Sequence, residues 1–362
     1  MILKRLKIEH FRNVRAAEMT FKEGINFLKG ENAQGKTNAL EAIYFFSRGK
    51  SFRGSEEEMV QFGEKGFFCE IEFFDGKRAQ TLSHRFYEGK RVRKKNGAPV
   101  SRISEMMGVF RAVLFSPDHL QMVKGSPDIR RQFLNIGIAQ LHPAYLKLYS
   151  QYNKMLDNRN YLLKCAQKGL YFDEGELSVW SAQMAEVAAS LHFMRLQFLE
   201  QIERHAKVIM AEVSEQREAL SLSYESENKG KTEEELKSIY LAQLSQNLKK
   251  EYAAGCTLYG VHRDDFKIEI NGVDARHFAS QGQQRSVVLA LKLAEGEACA
   301  AAFGEYPVFL FDDVLSELDE KRRAYVFKGA EKRQFVVTTC EKDILEGAHV
   351  IEVKEGKYVS ID

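Results

Sequence analysis

Gly30-Glu31-Asn32-Ala33-Gln34-Gly35-Lys36-Thr37 is the stretch on which the fold turns. It fits G-x-x-x-x-G-K-[ST] at every fixed position. It follows a short apolar run, residues 25–29, and opens a segment where Leu40, Ile43 and Tyr44 recur at helical spacing. Strand, glycine-rich turn and helix start, in that order, make a P-loop. The glycines let backbone N–H groups turn toward one point, and the helix N-terminus adds the positive end of its dipole. Lys36 is expected to reach β- and γ-phosphates, and the Thr37 hydroxyl to bind Mg²⁺. The competing reading is a chance glycine-rich turn, which has no use for the flanking strand and helix.

A second stretch complements the first. Val308-Phe309-Leu310-Phe311-Asp312-Asp313 is an apolar run ending in two acids. A buried parallel strand delivers its last residue to the ligand edge of a sheet. Asp312 is therefore the candidate Mg²⁺ residue, and Asp313 the candidate to orient or deprotonate an attacking water. Alone, such acids are as well read as helix caps. Beside a P-loop they gain a use, and their great distance from Lys36 along the chain implies a large insertion. Ser280-Gln281-Gly282-Gln283-Gln284 precedes a long Ala/Leu-rich helical run. By itself it reads as a polar helix cap. The order P-loop, insertion, S-x-G-x-x, strand with Asp-Asp, then Ser316-Glu317-Leu318-Asp319 resembles ABC-type ATPase heads. In such heads S-x-G meets the γ-phosphate bound to a partner subunit.

Composition bounds the rest. With 362 residues, 44% hydrophobic and 29% charged, the chain suits one large or two ordinary globular domains and is not disordered as a whole. Fifty-three Lys and Arg against 51 Asp and Glu leave a net +2, so any basic surface must be local. No apolar stretch approaches the ~18 residues of a membrane helix. The N-terminus lacks a signal-peptide apolar region, and the expected location is the cytoplasm. Five scattered cysteines without a CxxC pair suit reduced thiols packed as small apolar residues.

The first 115 residues read as strands plus one helix, with 80–87 and 91–95 flanking a turn at Glu88-Gly89-Lys90. From Ser126-Pro127-Asp128, a helix start, the pattern is helical to about Ala254, with Thr232 and Glu235 as a capping box. After Gly255 strand–helix alternation returns, with a hairpin turn at Asn271-Gly272. The expected fold is an α/β head of mixed or parallel sheet, residues 1–115 and 255–362, interrupted by a helical arm or lobe, 116–254. His262-Arg263-Asp264-Asp265 reads as a solvated turn of alternating charge, and a single His beside two adjacent acids is a poor metal site. Residues 77–95 carry Lys77, Arg78, Arg85, Lys90, Arg91, Arg93, Lys94 and Lys95 against Glu88 alone. Two readings stand: contact with a duplex backbone, or a charged sheet edge that resists aggregation.

Seven segments carry a resemblance to a known family: residues 6–13 (L-K-I-E-H-F-R-N), 30–38, 114–118, 123–127 with Arg130-Arg131, Tyr259 to Asp265, 280–284 and 311–319. Together they resemble the RecF family, bacterial DNA replication and repair proteins that are SMC-like ABC-type ATPases. The resemblance runs from residue 6 to about 340. It implies an ATP-dependent homodimer on duplex DNA beside single-stranded gaps, acting in the SOS response to DNA damage. It implies partnership with RecR and RecO, indirect help in loading RecA, and slow ATP hydrolysis that drives release. It places Gly30, Glu31, Asn32, Ala33, Gln34, Gly35, Lys36, Thr37 and Asn38 on the nucleotide, with Arg12 and Asn13 nearby. Thr37 and Asp312 would hold Mg²⁺, and Asp313 and Lys36 would carry catalysis. Ser280, Gly282 and Gln283 would act across the dimer, with Asp319 in the loop that crosses the interface. The chain departs from the family at Val14, where Tyr is usual, and at Val261, where Pro is usual. No His follows 335–339, which leaves Thr338 or Thr339 to sense γ-phosphate, and residues 116–121 are the region for a Q-loop. A transporter's nucleotide-binding subunit is the first alternative, opposed by the missing His and the long insertion. A small-molecule kinase is the second, and it has no use for the S-x-G and 316–319 elements.

Overall fold

The computed structural model describes residues 1–341 and 345–361; residues 342–344 and 362 of the sequence-read head lie outside the described residues. The chain forms two compact units. The first comprises Met1–Val123, His205–Ala219 and Ala279–Asp362, and the second Lys124–Arg204 and Leu220–Phe278.

The first unit holds two six-stranded sheets. One is antiparallel, in the order Val14–Thr20, Ile2–Phe11, Gly66–Phe74, Ala79–Tyr87, Lys90–Lys95, Ala98–Val100. The other runs Lys357–Ile361, His349–Lys354, Ile25–Lys29, Phe335–Thr339, Val308–Phe311, Ala112–Phe115, and is parallel except at Lys357–Ile361. Every residue of Val308–Phe311, Ala112–Phe115 and Phe335–Thr339 is buried. That is why these strands read as unbroken apolar runs, while Gly66–Phe74 alternates. The helix Lys36–Arg48 lies between the two sheets. Its Ala39, Leu40, Ile43 and Phe46 share one core with Leu6 and Ile8 of the antiparallel sheet and Leu114, Leu310 and Val336 of the parallel one. Each of the Leu, Ile, Val and Phe side chains contributes roughly 1.5–3 kcal/mol by leaving water. The P-loop at the head of this helix is therefore set on a rigid seat.

The second unit is mostly helical: Pro127–Leu141, Ala144–Gln167, much of Glu174–Val213, Glu233–Gln246 and Leu248–Ala254. It also holds a three-stranded sheet, Val273–Asp274, Asp265–Ile270 and Leu220–Glu225. The strand at 220–225 lies in the stretch read from sequence as helical. Its alternation of Leu220, Leu222 and Tyr224 is a period-2 signal, but its partner, Asp265–Ile270, is distant along the chain. This pairing also draws 255–278 into the second unit, whereas the sequence reading began the head again at Gly255.

The His262-Arg263-Asp264-Asp265 turn is anchored rather than solvated. Arg130 holds Asp265 through two hydrogen bonds of 2.8 and 2.7 Å. Tyr224 donates to Asp264 at 2.9 Å, and His262 Nδ1 lies 2.7 Å from the Tyr152 hydroxyl. Burial pushes His262 down to about 4, so it stays neutral in this setting. Deeper still, Arg159 and Glu251 form a fully buried pair at 2.6 Å, with Ser181 and Thr257 taking the other guanidinium donors.

Candidate nucleotide-binding site

Ile25–Lys29 ends at Gly30, and the turn that follows closes on the helix at Lys36. Gly30 has no alternative: a Cβ there would stand 2.2 Å from the Val353 carbonyl oxygen of the neighbouring strand. Gly35 takes φ +114°, a region unfavourable to side chains, and its carbonyl accepts the Asn38 N–H at 3.0 Å where the helix begins. Lys36 is folded back onto its own loop. Its ammonium donates to the carbonyls of Gly30 at 2.8 Å and Glu31 at 3.1 Å, and lies 3.1 Å from Cys340 Sγ. A phosphate offers that ammonium stronger acceptors than neutral carbonyls do.

The two sequence motifs meet at Thr37. Its hydroxyl donates to Asp312 Oδ1 at 2.8 Å across a separation of 275 residues. Asp312 follows the strand Val308–Phe311, and its N–H bonds the Phe115 carbonyl at 2.8 Å, so the sheet itself sets its position. The carboxyl is buried, and burial raises its pKa; the Thr37 hydrogen bond opposes this and the neighbouring Asp313 charge adds to it. A buried carboxylate beside a hydroxyl suits a hard divalent cation, which accepts oxygen ligands and relieves the stranded charge. Thr37 and Asp312 thus fit Mg²⁺.

Asp313 sits at φ +52°, an uncommon conformation for a non-glycine residue. Thr338 maintains it. Its Oγ1 accepts from the Asp313 N–H at 2.8 Å and lies 3.1 Å from Asp312 Oδ1 and 3.2 Å from Asp313 Oδ1. One hydroxyl proton serves one of these carboxylates at a time. Thr339 is otherwise engaged, accepting from the Glu341 N–H at 3.0 Å. Among the candidates for a sensor at this strand end, Thr338 is the one beside both acids.

Arg12 and Asn13 frame the helix start. Arg12 makes a two-pronged bond to the fully buried Glu41 at 3.0 and 2.6 Å, and donates to the Glu58 carbonyl at 2.7 Å. Asn13 accepts from Asn38 at 2.6 Å. The loop's other residues are clasped by the C-terminal hairpin. The Gly356 N–H donates to the Gln34 carbonyl at 3.0 Å, and the Glu355 N–H to Gln34 Oε1 at 2.6 Å. Tyr358 donates to the Gly35 carbonyl at 2.8 Å. Ala33 has φ +64°, Asn32 lies 3.0 Å from Cys340, and Glu31 lends its carbonyl to Lys36. Sequence reasoning missed Tyr358 and Cys340, because nothing local ties a terminal hairpin or a lone thiol to the P-loop.

Ser280 caps the helix Gln281–Phe303. Its hydroxyl accepts from the Gln283 N–H at 3.2 Å, and the Gln283 side chain accepts from the Ser280 N–H at 2.9 Å. Arg322 connects this corner to the 316–319 loop: it pairs with Asp319 and donates to Ser286 at 2.8 and 2.9 Å and to the Gly282 carbonyl at 3.3 Å. Arg285 pairs with Glu317 across the same gap. The S-x-G segment and Asp319 therefore form one exposed corner. Among the described residues no hydrogen bond or ion pair joins it to Gly30–Asn38. In 116–121, the Ser116 N–H and hydroxyl engage His119 Nδ1 at 2.9 and 3.0 Å, and Gln121 is exposed.

Residues 2–356 match the family model described as the RecF/RecN/SMC N terminal domain. The chain is 38% identical over 370 residues to the DNA replication and repair protein RecF of Clostridium kluyveri, covering 100% of both chains. It is similar to a solved structure described as the recombination mediator protein RecF-ATPrS in the RecFOR pathway, with TM-score 0.93, 34% identity and coverage of 99% and 98% of the two chains. A second, described as RecF-ATP, gives TM-score 0.88 at 34% identity, covering 100% and 98%.

Proposed function

The chain belongs to the RecF family of DNA replication and repair proteins, whose fold is an ABC-type ATPase head, and from that premise we propose that it is an ATP-switched DNA-binding protein of recombinational repair. The observation that carries the reading is the 2.8 Å bond from Thr37 to Asp312, which assembles a phosphate loop and a metal-binding carboxylate from opposite ends of the chain.

In this reading ATP draws the Lys36 ammonium off the Gly30 and Glu31 carbonyls and onto its phosphates. Thr37 and Asp312 would hold Mg²⁺, which when bound neutralises phosphate charge. Asp313 orients water and accepts its proton, while Thr338 holds that carboxylate in place. Asp is one methylene shorter than Glu and holds the water less directly, so turnover is slow and hydrolysis acts as a timer. Ser280, Gly282 and Gln283 face a nucleotide on a second copy, with Asp319 beside them. ATP binding then closes a homodimer that stays on duplex DNA near gaps until hydrolysis releases it. RecR and RecO are the partners, RecA loading is the downstream result, and the work is done in the cytoplasm at the nucleoid. The domain reading goes with it: the sheets with the P-loop form the ATP head, and the mainly helical unit is the arm.

The test is sizing the protein with ATP and Mg²⁺, without them, and again with gapped duplex. The expected result is a dimer only with nucleotide, retained by DNA. A monomer under every condition removes the switch from this account.

A further inference from the structure

The basic segment 77–95 had two readings, and the sheet order separates them. A cationic edge strand discourages pairing with other chains. Only the Lys90–Val92 half of the strand is open at the sheet edge, however. Ala98–Val100 covers the other half, with Lys95 opposite Ala98, Lys94 opposite Pro99 and Arg93 opposite Val100. That outer strand has three residues, and Pro99 offers no N–H to a neighbour. Over that half the edge is already blunted by the outer strand's shortness and its proline, so Arg93, Lys94 and Lys95 are not needed to guard it.

Pairing register sorts those cations. Arg91, Arg93 and Lys95 stand opposite Phe86, His84 and Leu82, all buried. Lys90 and Lys94 stand opposite Tyr87 and Ser83, on the other face with Arg85. Arg91 is spent inside the protein: it pairs with Glu56, reaches Glu57 at 3.9 Å and lies over Phe86. Glu88, the only acid in the segment, pairs with Lys65 at 2.7 Å. Lys90, Lys94 and Lys95 have no acidic partner within ion-pair distance among the described residues. Three uncompensated ammonium groups on a two-stranded ribbon, Lys90 and Lys94 on one face and Lys95 on the other, give it a local positive charge in a chain of net charge +2.

We propose that the ribbon formed by Ala79–Tyr87 and Lys90–Lys95 lies along the sugar-phosphate backbone of duplex DNA, with Lys90, Lys94 and Lys95 contacting phosphates. This rests on the DNA-binding reading above. Duplex fits better than single strand, because base stacking needs successive aromatic faces, and Tyr87 is the one exposed aromatic on the ribbon. The contact reads charge and not sequence.

The test compares the triple variant Lys90→Gln, Lys94→Gln, Lys95→Gln with Arg91→Gln and wild type. Duplex affinity is measured by anisotropy over a range of salt, with ATP affinity followed in parallel. Each lost phosphate contact lowers the log–log salt slope by ~0.9, so the triple variant should lose ~2.7 of slope. Arg91→Gln should leave the slope nearly unchanged, since Glu56 and Glu57 already neutralise that guanidinium. ATP affinity should remain at the wild-type value in both. Wild-type slope in the triple variant, with normal duplex binding, overturns the ribbon assignment and leaves DNA binding standing. If wild type itself shows no salt-dependent duplex binding with or without ATP, both readings fall. Equal slope losses in the triple variant and Arg91→Gln would also reject the assignment, because the sorting of cations by ion pairing would then be wrong.

Discussion

Thr338→Val isolates one hydroxyl at the centre of the site. Thr338 is 1% exposed, and valine keeps its shape. What is lost is the acceptor for the Asp313 N–H at 2.8 Å and the donor within reach of both carboxylates. Leaving that N–H unsatisfied costs ~1–3 kcal/mol of stability. The larger effect is geometric. Asp313 stays at φ +52° because its N–H has a fixed partner; without it, the carboxylate drifts from where water must be held. A misplacement near 1 Å can cost on the order of 100-fold, so we expect ATP turnover to fall roughly 10- to 100-fold, or ~1.4–2.7 kcal/mol of barrier. ATP affinity should stay within about threefold, since Lys36 and Thr37 are untouched and the loss is confined to the transition state. Thr338→Ser restores the hydroxyl and should recover most of the turnover. The assay is steady-state phosphate release beside equilibrium titration with a fluorescent ATP analogue. Wild-type turnover in Thr338→Val would refute the argument that this hydroxyl holds Asp313.

Further outcomes follow from named contacts. Asp312→Asn should abolish Mg²⁺-dependent hydrolysis yet stabilise the nucleotide-free fold. Burial raises this carboxyl above the usual 3.8, so the folded state binds its proton more tightly than the unfolded chain. Wild type therefore loses stability relative to Asp312→Asn as pH rises through 3.8 and on through the raised folded value, and thermal melts near pH 3 and pH 7 measure the difference. Arg159→Met strands the fully buried Glu251 and should cost ~3–5 kcal/mol in urea unfolding of the helical unit; a loss below ~1 kcal/mol would mean water reaches that pair. Lys36→Ala should lose ~10- to 150-fold in ATP affinity, and Ser280→Arg should bind ATP but fail to dimerise. Mixing the two inactive variants should restore part of the ATPase, because one mixed site keeps both Lys36 and Ser280, and Ser280→Ala as a milder partner separates a blocked interface from a site that is not shared.

The features legible in the sequence were those whose physics is local. A strand, a glycine-rich turn and a helix start lie side by side in the chain, so the P-loop from Gly30 to Thr37 could be read residue by residue. Burial on both faces makes Val308–Phe311 apolar throughout, and Asp312 was legible as its end. The Thr232 cap and the Asn271-Gly272 turn were legible for the same reason. What required the tertiary structure was pairing between distant segments. Leu220–Glu225 becomes a strand because Asp265–Ile270 lies beside it, and that pairing moves 255–278 into the helical unit. The charges of His262 to Asp265 looked solvated until Arg130, Tyr224 and Tyr152 were brought against them from elsewhere in the chain. Cys340 reaches the P-loop because parallel neighbours end at one sheet edge, and Tyr358 because its strand turns back antiparallel from the end of His349–Lys354. The basic ribbon shows the division most plainly: composition located its cations, but only strand pairing and ion pairing decided which is spent on Glu56 and which have no acidic partner among the described residues.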